Sequence, residues 1–294
     1  MVHLKKKTIS DKEYYYLEHT IRVGKSFQKK EKYLGSEIPK DLEKIKITFA
    51  KEIFQDKWHN ILNEIKKRYT LTQKSLPLSA KEKELETFMV KFTYDSQKIE
   101  GSKLTLRETA NLLEKGLSPK EKPIRDIKEA EKHRIVFYEM LGYTKDLSLE
   151  IILLWHKKLF QDTKPDIAGK IRTHGVAISG SRFMPPTPVE LTFLLREFFS
   201  WYNKNNDKIH PVELAALVHL KFVSIHPFGD GNGRISRLMM NFILQKFNYP
   251  LLNISYENRN SYYRALERAQ IKNEEQIFIQ WLIRRYLKEQ KIKK

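Results

Sequence analysis

Between His226 and Arg237 the chain reads HPFGDGNGRISR, which places a histidine, an aspartate, an asparagine, three glycines and two arginines within one short stretch. Pro227 biases His226 away from helical geometry, so a preceding helix should stop there and present the imidazole at a loop mouth. Gly229, Gly231 and Gly233 leave the next turn free to gather backbone N–H groups onto one point, the geometry that binds phosphate at a helix start. In the helix that follows, Ile235, Leu238, Met239, Phe242 and Ile243 share one face, and Arg234, Arg237 and Asn241 share another. Two guanidiniums one turn apart beside such a nest suit a polyphosphate. Asp230 offers a hard oxygen for Mg2+ bridging phosphates, and His226 can serve as a base toward a hydroxyl.

Other loops of this kind fail on particular residues. A phosphate-binding P-loop requires Lys and then Ser or Thr after its last glycine, whereas Gly233 is followed by Arg234 and Ile235; a dinucleotide-binding turn follows a strand, and here a helix comes first. A calcium loop opening at Asp230 needs an acid where Asn241 stands. The stretch does resemble the Fic family signature, His-x-Phe-x-Asp/Glu-Gly-Asn-Gly-x-x-x-Arg, at every defined position. The resemblance extends over roughly residues 80 to 290. It implies adenylyl transfer from ATP to a hydroxyl of a protein target, with His226 as base and Asp230 holding Mg2+. It assigns Gly231, Asn232 and Gly233 to the α- and β-phosphates and Arg234 and Arg237 to the β- and γ-phosphates, with Phe228 anchoring the loop. Tyr262 and Tyr263 resemble tyrosines near the adenine. Gln270 stands where relatives often carry Asn, which leaves ATP, UTP and other diphosphate donors open.

Two further segments resemble family features. Ser96, Glu100 and Gly101 fit the inhibitory pattern Ser/Thr-x-x-x-Glu-Gly/Asn, placed ahead of the loop as in the subgroup with an N-terminal inhibitory helix. The resemblance implies that Glu100 pairs with Arg237 and removes the partner of the γ-phosphate; it also allows the reverse reaction, removal of AMP. VAISGSRFMPP resembles the target-binding flap, through Val176, Ala177, Ile178, Ser179 and Gly180, and the Gly180–Ser181 pair suits a type II′ hairpin.

The elements around these segments are mainly helical. Ser79 with Glu82, and Thr187 with Pro188 and Glu190, have the pattern of helix starts, and apolar stripes mark further helices in LTLRETANLLEKG, RDIKEAEKHRIVFYEML and LEIILLWHKKLF. His219 reads as a core residue, and His174 and His210 as loop or cap positions. Residues 1–75 read as a basic segment with a β-hairpin turning at Gly24 and a helix, and TLTQKSLPLS as a linker. The expected fold class is therefore mainly α: a Fic-type helical bundle with a β-hairpin flap over residues 76–294, behind the small N-terminal segment.

The absence of cysteine excludes disulfides, thiolate metal sites and thiol nucleophiles. No apolar run is long enough to span a membrane, and the expected location is the cytoplasm. The net charge of +19, from 55 Lys and Arg against 36 Asp and Glu, fits a surface laced with ion pairs. It also keeps an alternative function open, a basic nucleic-acid or partner-binding protein whose loop binds nucleotide without chemistry.

Overall fold

The computed structural model describes residues 2–23 and 26–291. The chain divides into two compact units, Met1–Glu64 and Ile65–Lys294.

In the first unit, strands β1 (His3–Ile9), β2 (Lys12–Val23) and β3 (Ser26–Gly35) form an antiparallel sheet in that order. The expected hairpin is thus part of a three-stranded sheet. Ser10 and Asp11 both take positive φ (50° and 60°) and join β1 to β2 as a two-residue type I′ turn. The expected Gly24 turn lies outside the described residues. Leu17 and Ile21 of β2 pack with Phe49 and Ile53 of α1 (Leu42–Ser75) to make this unit's core. Lys5, Glu18, Lys29, Glu31 and Lys7 form a chain of ion pairs across the strands. Part of the basic charge is therefore balanced locally, and such exposed pairs contribute little stability.

The expected linker is mostly helical. α1 continues to Ser75, and α2 (Leu78–Ile99) starts directly behind Pro77. Ser79 does not cap it; Pro77 is the N-cap, its fixed φ favouring entry into a helix. Then follow α3 (Leu106–Lys115), α4 (Ile124–Gly142), α5 (Leu149–Phe160), α6 (Pro188–Asn205), α7 (Pro211–Ile225), α8 (Asn232–Lys246), α9 (Arg259–Lys272) and α10 (Glu275–Lys291). Thr105 and Glu108 cap α3 reciprocally. At the start of α6, the Glu190 carboxylate accepts from both the N–H and the hydroxyl of Thr187, as the sequence leads one to expect.

α7 and α8 form the centre of the second unit. Both are buried nearly all round: α7 is largely apolar and buried from Val212 to Leu220, as expected of a helix enclosed by its neighbours, and α8 also buries the polar Asn232, Arg234, Arg237 and Asn241. α2, α4 and α5 pack on α8, and α6 and α10 on α7. Among the described residues no helix is long and apolar enough to cross a membrane.

The flap departs from its expected form. Residues 176–186 contain no paired strands; the segment is an extended loop around a turn in which Ser181 N–H donates to the Ile178 carbonyl (3.0 Å). Gly180, at φ +76°, is the third residue of that turn, the position where a type II turn needs a glycine. The expected II′ register put Gly180 one place earlier. Val176 and Ile178 are half-buried, and Ala177, Ser179 and Gly180 are exposed.

Candidate functional site

The loop between α7 and α8 is held by side chains on every side. His226 ends α7 in the left-handed region (φ 52°, ψ 55°), a conformation that costs a non-glycine residue about 1–2 kcal/mol. Its Nδ1 lies 3.2 Å from the Val223 carbonyl, so Nδ1 carries the proton and Nε2 keeps its lone pair. Burial lowers the imidazole pKa below its usual 6.5 and the Val223 carbonyl only partly opposes this, leaving a neutral base near pH 7.

Phe228 is fully buried and stacks on His156 of α5 at 3.7 Å between ring centres. His156 Nδ1 accepts from Gly169 N–H, and its Nε2 donates to the Asp230 carbonyl, both at 2.9 Å. Desolvation lowers its pKa to about 4, which keeps this one-donor, one-acceptor bridge intact at neutral pH. Asn232 closes the loop with two bonds to the backbone of Phe228, at 2.9 and 2.8 Å, so its side chain shapes the turn. Gly231 caps α8 at φ 84°, where a Cβ would lie 2.3 Å from a Phe160 ring carbon. No side chain caps α8, which leaves its first N–H groups directed at the loop mouth.

The two arginines differ. Arg234, 2% exposed, bonds Glu129 of α4, Gln97 of α2 (3.1 Å) and Asp230 (2.9 Å). Two of these three bonds tie α8 to α4 and α2, the third holds the loop carboxylate, and Nε has no hydrogen-bond partner. Arg237 donates through Nε to Ser96 Oγ (2.9 Å), and through Nη2 to the Ser96 carbonyl (3.0 Å) and Glu100 Oε1 (2.7 Å). Glu100 caps α2, followed by Gly101 at φ +98°. Gly101 N–H donates to Lys98 O and Ser102 N–H to Gln97 O, the pattern of a Schellman cap. The structure thus brings Ser96 and Glu100 to Arg237, while Gly101 ends the helix that carries them. The Glu100 carboxylate also lies against the glycine turn, because a Cβ on Gly233 would stand 2.4 Å from Oε1.

Asp230 accepts from Arg234 through Oδ1 and from Lys164 through Oδ2. Burial raises its pKa, but these two cations outweigh burial and hold the carboxylate well below its ordinary range. Among the described residues no cluster of three or more His, Asp or Glu could hold a metal. Asp230, with a third of its side chain exposed, fits a cation bound by one carboxylate with phosphates and water completing the shell, as Mg2+ commonly is.

Of the tyrosines expected near the adenine, Tyr263 is partly exposed and donates to the Ile99 carbonyl (3.0 Å). Tyr262 is buried, its hydroxyl 2.9 Å from His219 Nε2. Gln270 donates to Ser224 Oγ at 3.1 Å. His219 is a core residue with Nδ1 unpartnered, and His210 caps α7. His156, Lys164, Glu129, Gln97 and Arg172 escaped the sequence reading. A histidine on the apolar stripe of LEIILLWHKKLF was the one available hint.

Residues 146–244, from the approach to α5 through most of α8, match the Fic/DOC family. The chain carries a Fic domain. It is 36% identical over 180 residues to protein adenylyltransferase Fic of Drosophila yakuba, covering 60% of this chain and 36% of that protein. To the protein of that name from Nematostella vectensis it is 31% identical over 225 residues, 75% of this chain and 52% of that protein. The chain therefore spans about a third to a half of the curated relatives it matches. Among solved structures, a Fic domain containing signaling protein from Bacteroides thetaiotaomicron superposes with a TM-score of 0.72 at 25% identity, over 78% of this chain and 95% of that one. Fic-1 from C. elegans gives 0.72 at 25% identity, over 85% and 74%. The Fic domain explains why a helical core surrounds the glycine turn, and why the turn joins two helices instead of a strand and a helix.

Proposed function

We propose that this chain transfers AMP from ATP to a hydroxyl of a protein target and that Glu100 restrains the reaction. The observation that carries the reading is the pairing of a buried Arg237 with a carboxylate lying on the Gly231–Gly233 turn. A γ-phosphate on that arginine and the Glu100 side chain exclude each other by charge and by volume. The relatives named protein adenylyltransferase supply the reaction class.

In the released state, His226 Nε2 takes the proton of the acceptor hydroxyl, the oxygen bonds to the α-phosphorus, and pyrophosphate leaves from the opposite side. The first-turn N–H groups of α8 hold the phosphates, and Arg237 binds their far end; positioning and charge neutralisation account for most of such a catalyst's effect. Asp230 would hold Mg2+, which neutralises phosphate charge. The half-buried, half-exposed alternation of Val176–Ser179 suits pairing with an extended target segment.

The test is labelling with α-labelled ATP and Mg2+ in cell extract. Glu100→Gly should raise labelling of the chain itself and of target bands by more than about tenfold over the parent, the worth of one charge-assisted contact. Adding His226→Ala should abolish it, and mass spectrometry of the bands names the adduct and acceptor. Equal labelling by parent and Glu100→Gly would remove the brake. No labelling by either, together with steeply salt-dependent binding to duplex nucleic acid, would favour the basic binding protein.

A further inference from the structure

Arg172 precedes the flap and is 5% exposed. Its backbone N–H donates to the Pro227 carbonyl (2.9 Å) and its Nε to the His226 carbonyl (2.8 Å). Its Nη1 donates to the carbonyl of His174, where the flap begins (2.8 Å), and its Nη2 to that of Pro186, where the flap ends (2.6 Å). One guanidinium therefore joins both ends of the target-binding loop to the backbone of the proposed base. Desolvation alone perturbs this guanidinium, which has no carboxylate beside it, so its donors go to backbone oxygens.

This arrangement answers a physical need. His226 stands in a left-handed conformation that persists only where neighbours over-determine it. Its carbonyl faces a buried region at a helix end, where an unmade hydrogen bond is costly. Lysine could satisfy one of these carbonyls but has no planar fork to span three.

We infer that Arg172 is a positioning residue that fixes the flap and the His226 loop as one unit, so that a target seated on the flap meets the imidazole in register. The inference rests on the proposed adenylyl transfer. The charges acting on His226 are consistent with it: Arg172 favours the neutral imidazole, against Glu100 and Asp230. The hydrogen bonds of Arg172 go to the His226, Pro227, His174 and Pro186 carbonyls and not to the glycine turn that would receive the phosphates, so its loss should affect transfer and leave nucleotide binding alone.

The experiment has two arms on the full chain. In the first, amide hydrogen exchange compares the parent with Arg172→Lys, which retains the charge and removes only the planar fork. Exchange should accelerate together in residues 173–187 and 226–231 while α2 and α4 stay protected. In the second, self-labelling is measured against ATP concentration in the Glu100→Gly background. Arg172→Lys should lower the maximal rate on the order of a hundredfold, as misplacement of a reacting group does, with half-saturating ATP changed less than about twofold. Acceleration confined to one of the two segments, or labelling at the Glu100→Gly rate, would overturn the inference. If Glu100→Gly itself labels nothing, adenylyl transfer fails, and the exchange arm alone decides whether Arg172 couples the segments.

Discussion

Gly233→Ala tests the contact between the Glu100 carboxylate and the glycine turn on which the proposed restraint rests, without altering any charge. The backbone tolerates alanine, because Gly233 lies in the first turn of α8 and is not among the glycines at positive φ. The new Cβ would lie 2.4 Å from Glu100 Oε1 and 3.0 Å from Arg237 Nη1. Relief requires Oε1 to move about 1 Å, and a shift of that size directed away from Arg237 breaks the present 2.7 Å bond. A hydrogen bond to a charged group contributes about 1.5–3 kcal/mol, and the 27% exposure of the Glu100 side chain places this one near the lower end. Alanine in place of a helical glycine returns about 0.5–1 kcal/mol. Gly233→Ala should therefore cost a net ~1 kcal/mol in the parent and stabilise by ~0.5 kcal/mol in the Glu100→Gly background, where Arg237 is free to yield. Urea unfolding of the four proteins measures this cycle. Equal destabilisation in both backgrounds would refute the reasoning, since the clash would then be with something other than Glu100. The same Cβ intrudes where a phosphate would lie, so the double variant should label more slowly than Glu100→Gly alone.

Two further outcomes follow from the site. Burial holds the His226 pKa below 6.5 and the Glu100 charge raises it, so an NMR titration of this imidazole should show a midpoint under 6.5 that falls further in Glu100→Gly. Self-labelling by that variant should then be flat above about pH 7 and decline as acid protonates the base; a midpoint above 6.5 would contradict this. Lys164→Met frees one Asp230 oxygen, and the affinity for Mn2+ with a nonhydrolysable ATP analogue, followed by electron paramagnetic resonance, should rise up to about fivefold, the worth of a half-exposed ion pair. Unchanged affinity would mean that Lys164 leaves Asp230 at no cost.

Local chemistry was legible in the sequence, and long-range pairing was not. The glycine turn, the Thr187–Glu190 start and the Gly101 stop each declare themselves within a few residues, because backbone sterics and capping act over that distance. Glu100 and Arg237 were joined through family resemblance, although they stand 137 residues apart. Nothing comparable marked Glu129 for Arg234, 105 residues away, or Arg172 for the carbonyls around it. β1 was missed because HLKKKTI carries too many lysines to read as a strand, and its turn uses Ser10 and Asp11 without a glycine. Thr and Ser near Pro77 suggest a loop, whereas the helix simply runs to Ser75, until proline blocks it. The flap lacks the pairing its alternation suggested, since no second strand lies beside it to accept the ladder.

α2 is bound into the domain along its C-terminal half. Met89, Val90, Phe92 and Ile99 are buried. Asp95 accepts from Asn253 and from the backbone N–H of Tyr256, and Gln97 reaches both Arg234 and the Glu129 carbonyl. Removing this helix by proteolysis or truncation would therefore strip Arg234 and Arg237 of partners and expose the core beneath it, so under the proposed restraint release is a movement of the Glu100 carboxylate with the helix in place. Under that proposal, variation that silences restraint falls at residue 100 and its immediate neighbours, because loss of the segment would cost the fold as well.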